Sequence, residues 1–93
     1  MLYHDCVPEV ADAAIARLRF QRSMWTQVAD FDAWPDVETV SIICAEDRVV
    51  NPTWSSRVAR ERLGVEAIEL PGGHSPFLAR PDALAEALMA GLK

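Results

Sequence analysis

The stretch Val40-Ser-Ile-Ile-Cys-Ala-Glu-Asp47 reads as a buried strand ending in a polar turn that presents an acid. Residues 37–45 are β-branched and nearly continuous in apolar character, the pattern of a strand covered on both faces in a parallel sheet. Downstream, Asn51-Pro52 signals a helix start, with Asn51 as cap and Pro52 in the first turn, where a missing N–H costs nothing. Val58, Ala59 and Leu63 face inward on this helix, Arg57 and Glu61 lie one turn apart on its wet side, and Gly64 ends it. Residues 65–70 form a second strand, 71–76 a loop, and 81–90 a closing helix with Gly91 as its stop. The order strand, helix, strand, helix implies an α/β fold in which two parallel strands are joined by a right-handed crossover and flanked by helices.

The second strand runs into Pro71-Gly-Gly-His-Ser-Pro-Phe77. A His in such a Gly/Pro loop is held by loop geometry, not by packing. Asp47 and His74 both follow apolar runs, so they are expected at the same edge of the sheet, at the C-terminal ends of adjacent strands. There they would act as orienter and base of a catalytic triad. The imidazole takes a proton from an attacking hydroxyl or water, while the carboxylate fixes its tautomer and stabilises the imidazolium. Taken singly, His74 reads as a turn residue and Asp47 as a capping carboxylate; the pairing favours catalysis. No Gly-x-Ser-x-Gly or equivalent strand–turn–helix elbow occurs in the 93 residues, so the nucleophile is not in this chain.

A domain this short buries only about 60–65% of its unfolded surface. Two parallel strands alone also leave their outer edges unpaired and their apolar faces half covered. The 51% apolar and 25% charged composition is that of a globular chain, not a disordered one. Lys+Arg 9 against Asp+Glu 14 gives a net charge of −5, which offers no basic patch for nucleic acid and no polybasic surface for a membrane. No run approaches the ~20 apolar residues that span a bilayer. The start Met-Leu-Tyr-His-Asp has neither a charged n-region nor an apolar h-region. Cys6 and Cys44 lack the Cys-x-x-Cys spacing of a metal site and read as structural thiols. The expected setting is a reducing cytoplasm, with no metal and no cofactor.

Other candidates weigh less. Glu46 and Asp36 are rival acids, but they sit less well relative to the strand end and read as solvated carboxylates. His4, Asp5 and Cys6 form a ligand-like trio, yet three adjacent residues cannot all aim at one ion from regular structure. Ser55, Ser56 and Ser75 are hydroxyls without an elbow, suited to capping and turns. Phe77, Trp25 and Trp34 are candidates to line an acyl or alcohol pocket, with core packing as the plainer alternative. Upstream, Val10, Ala14, Ile15 and Leu18 lie at helical spacing over residues 8–19. Met24, Trp25, Val28, Phe31 and Trp34 suggest a short helix and then a loop stopped by Pro35.

Ile43-Cys-Ala-Glu-Asp47-Arg-Val-Val-Asn-Pro52, a helix, and then Glu69-Leu-Pro-Gly-Gly-His74-Ser-Pro-Phe-Leu-Ala-Arg-Pro81 resemble the C-terminal portion of an α/β-hydrolase, esterase- or lipase-like. In that family the acid follows the penultimate strand and the His follows the last. The resemblance implies a partial α/β-hydrolase fold. Residues 1–93 would be one C-terminal segment of the domain, with 1–36 the cap end and return helix and 37–93 the last two strand–helix units. It further implies hydrolysis of a small apolar carboxylic ester through an acyl intermediate once a nucleophile-bearing segment completes the site. Epoxide and haloalkane hydrolases share the pattern, with an Asp nucleophile. Hydroxynitrile lyases of this fold carry Lys after the His, where this chain has Ser75. A non-enzymatic alternative is an inert relic or a complementing, self-associating subunit.

Overall fold

The two apolar runs pair as parallel strands. The computed structural model describes residues 1–22, 28, 30 and 32–91. Its elements are α1 (Pro8–Ala16), β1 (Ile42–Cys44), α2 (Pro52–Val58), β2 (Ile68–Leu70), α3 (Pro76–Ala79) and α4 (Pro81–Gly91). In the two-stranded sheet Ile42 lies opposite Ile68, Ile43 opposite Glu69 and Cys44 opposite Leu70. Helix α2 packs against β1 and α4 against β2.

The crossover helix starts and stops as its residue types dictate. The Asn51 side chain accepts hydrogen bonds from the N–H groups of Thr53 and Trp54, and Pro52 occupies the first turn. After Val58 the helix widens into a π-helical turn, Ala59–Leu63. Gly64 then ends it in the left-handed conformation, φ 69°, which only glycine adopts freely. Arg57 and Glu61 are both exposed. The ion pair on this side instead joins Arg60 to Glu66 at 3.2 Å.

The strands are shorter than the apolar runs. Residues 37–40 do not join the ladder, and Ser41 joins it only through its carbonyl; local bonds hold the start of this run instead, Trp34 Nε1 donating to Thr39 Oγ1 and that hydroxyl to the Val37 carbonyl. Nor is β1 covered on both faces. Cys44 is buried, Ile42 and Ile43 are only half-buried, and Val40 is exposed. The physical reason is the lack of neighbours, since one strand and one helix layer cannot enclose a central-type strand. The loop expected over 71–76 ends in an extra turn of helix, α3. Helix α4 runs through Gly91, which lies against the Val40 side chain. Met24, Trp25 and Phe31, expected in a short helix, lie outside the described residues.

Ala45 N–H donates to Leu70 O and Ile68 N–H to Ser41 O, so odd-numbered residues of this run face β2. By the alternation of a strand, the backbone groups of Ile42 and Cys44 point to the opposite edge. Apart from the Cys44 carbonyl, which accepts from Asp47 N–H at 3.2 Å, they have no partner among the described residues. The accessible surface, 7823 Å², exceeds the about 5,400 Å² of a compact monomer of this mass. The radius of gyration, 15.1 Å, likewise exceeds the about 12 Å of a compact domain of this length.

Candidate active site

The turn after β1 is built to present a carboxylate. Asp47 N–H closes the turn on Cys44 O, and Asp47 Oδ1 accepts from the N–H groups of Val49 at 2.8 Å and Val50 at 3.0 Å. This is the aspartate-capped turn that Asp favours by bonding its own downstream backbone. Beyond β2 the ladder continues without strand geometry. Glu46 N–H donates to Gly72 O at 2.9 Å, and Gly72 N–H donates to Glu46 Oε1 at 3.0 Å. Gly72 has φ 98°, and a Cβ there would collide with the Arg80 guanidinium. Gly73 N–H donates to Asp5 Oδ2 at 2.8 Å.

The two tails bring Asp47 and His74 together. His74 Nδ1 lies 2.9 Å from Asp47 Oδ2 and 3.1 Å from Oδ1. An ionised carboxylate can only accept, so Nδ1 carries the proton and Nε2 is left as the acceptor. No hydrogen-bond partner reaches Nε2 among the described residues. The Asp47 side chain is 14% exposed and that of His74 32%. Burial pushes the Asp47 carboxyl up, but hydrogen bonds from Val50 N–H, His74 and Val49 N–H, with the imidazole charge, outweigh it and hold the group below its ordinary value. Asp47 is thereby kept ionised, the state in which it can orient a ring.

His74 and Asp47 open onto a cleft of about 540 Å³ that Trp54, Phe77 and Leu84 also line. Phe77, expected at a pocket wall, is there and 61% exposed; Trp54, from α2, stands 51% exposed on the same cleft. Trp34 lies elsewhere, and Trp25 is outside the described residues. Ser55 lines the cleft, but no hydrogen bond joins it to His74; Ser75 is buried and starts α3. The Cys44 thiol is raised first by burial and then by Asp47, Asp5 and Glu46, so it remains protonated at neutral pH. Among the described residues no three His, Cys, Asp or Glu side chains cluster as metal ligands, and Cys6 and Cys44 are free thiols.

Asp36 is exposed and takes no part. Glu46 is exposed, as the sequence implied, but it also grips the His loop. Asp5, set aside as one of three adjacent ligand-like residues, is the partner that sequence reasoning missed. Its bond spans 68 residues of chain, and no local pattern encodes that distance. The one available signal was Gly72-Gly73 itself, since paired glycines before a His mark a backbone that something approaches closely.

Comparison with known proteins adds a family match. The model of the Alpha/beta hydrolase family matches residues 2–87. Among curated proteins, the alpha/beta hydrolase nvfD of Aspergillus novofumigatus (strain IBT 16806) is 32% identical over 84 residues, covering 88% of this chain and 34% of its own length. The chain thus spans about a third of that relative. No solved structure matches.

Proposed function

Because the chain belongs to the alpha/beta hydrolase family, we propose that Asp47 and His74 are the acid and base of its catalytic triad, serving a nucleophile outside these 93 residues. The observation that carries this reading is the His74 Nδ1–Asp47 bond, which leaves Nε2 unpartnered beside an apolar cleft. In the reaction, Nε2 takes the proton of the nucleophilic hydroxyl as it attacks the ester carbonyl, then returns it to the departing alcohol. A second cycle with water releases the acid. Asp47 stays ionised throughout and stabilises the imidazolium. The apolar lining suits a small apolar carboxylic ester, and the free thiols suit a cytoplasmic setting. No helix among the described residues is long and apolar enough to cross a membrane.

In this proposal residues 37–93 are the last two strand–helix units of the domain and residues 1–36 the cap end and return. The free edge of β1 is where a preceding strand would add. The alternative, a complementing subunit with no catalysis of its own, draws on the same exposed edge and on the missing elbow.

The test has two arms. The isolated chain should hydrolyse short nitrophenyl acyl esters no faster than its His74→Ala variant, and an acyl-serine trapped on Ser55, Ser56 or Ser75 would contradict the reading. When the chain is joined to a hydrolase segment carrying the elbow, His74→Ala should lower kcat by on the order of 10⁶ and Asp47→Asn by about 10⁴. Activity indifferent to His74 would assign the chain to the non-catalytic alternative.

A further inference from the structure

We propose that Asp5 is a positioning residue for His74: its carboxylate fastens the Gly72-Gly73 bend that aims the imidazole at Asp47. The inference rests on the triad reading of His74. Two successive backbone donors ahead of the ring go to carboxylates from different parts of the chain. Gly72 N–H goes to Glu46, on the acid's own turn, and Gly73 N–H goes to Asp5, 68 residues away. The bend is thus held from both sides, and the next residue is the base. Without Asp5 the grip is one-sided, and the His74 backbone is free to rotate about Gly73.

The fit is close. A Cβ on Gly73 would lie 2.5 Å from His4 Cε1 and 2.8 Å from Asp5 Oδ1, so residues 4 and 5 press directly on the bend. Asp5 is itself secured: its side chain is 13% exposed, and Arg80 Nε lies 3.8 Å from Oδ2. Its other oxygen, Oδ1, is buried and unpartnered among the described residues. The desolvation cost of that oxygen is offset by the Gly73 N–H bond and the Arg80 charge, both on Oδ2. A charge-assisted bond is shorter and stronger than a neutral one, which suits a loop that must not swing. The bonds of Glu46, Asp5 and Asp47 to the consecutive residues Gly72, Gly73 and His74 place the three carboxylates at one end of the sheet.

The experiment reads the His74 Nδ1 proton by NMR in the 93-residue chain, where no reaction is needed. In Asp5→Ala its exchange with water should rise about tenfold or more, the factor expected on losing one hydrogen bond to a charged group. Asp5→Asn keeps an acceptor for Gly73 N–H but loses the charge, so its exchange should fall between those of wild type and Asp5→Ala. An unchanged Nδ1 proton in a folded Asp5→Ala chain overturns the proposal. If Asp5→Ala does not fold, judged from its amide spectrum, Asp5→Asn decides: Nδ1 exchange faster than wild type in a folded chain supports the role, and exchange equal to wild type overturns it. In the elbow-joined protein, Asp5→Ala should lower kcat while leaving KM in place. The triad reading fails separately, through hydrolysis that survives His74→Ala.

Discussion

Asp47 Oδ1 accepts from Val49 and Val50 while Oδ2 lies closest to His74, so the backbone and the ring compete for one small carboxylate. These bonds favour the ionised form, and the sign of the pH dependence follows. The folded-state pKa lies below the ordinary 3.8, so the unfolded chain binds the proton more readily. The stabilisation from Asp47 is therefore complete above pH 3.8 and lost as pH falls through the lower, folded value. Titration of the Asp47 side-chain carboxyl carbon by NMR should give a midpoint below 3.8, and a midpoint at or above it would contradict the bonding described. Asp47→Asn should remove that acid-side dependence.

The crossover helix depends on one side chain for its start. Asn51 satisfies two of the N–H groups that open α2, so Asn51→Ala should cost about 1 kcal/mol. Asn51→Asp should cost less, because the carboxylate caps equally well and favours the helix N-terminus. Loss of helical circular dichroism in urea, compared across the two variants, checks this. The same helix shows what the sequence could disclose. Asn51, Pro52 and Gly64 act within a few residues of themselves, and their roles were readable from type and order alone. The meeting of Asp47 and His74 was readable for a related reason, since each sits a few residues beyond an apolar run. Strand ends were not readable, because β1 stops where pairing with β2 stops, and pairing is set by the partner. Asp5 was invisible because its acceptor role exists only after the chain has folded back on itself.

At the scale of the whole molecule, the surplus surface and the unpartnered edge at Ile42 and Cys44 point the same way. A parallel strand with one bare edge and exposed neighbours such as Val40 is a template for another strand. The chain alone should therefore self-associate, or bind a nucleophile-bearing segment, at micromolar concentration. Sedimentation showing a compact monomer with cooperative unfolding would contradict this. The parallel register carries a last consequence, for insertions and deletions. Once Cys44 stands opposite Leu70, the identity of the side chain that meets Asp47 is set by residues 45–47 and 71–74 alone. Length changes in residues 65–67 shift only the slack between the Gly64 helix stop and β2, whereas a single deletion within 71–73 would offer Asp47 the Ser75 hydroxyl in place of an imidazole. Natural length variation in relatives should accordingly gather in the first segment and spare the second.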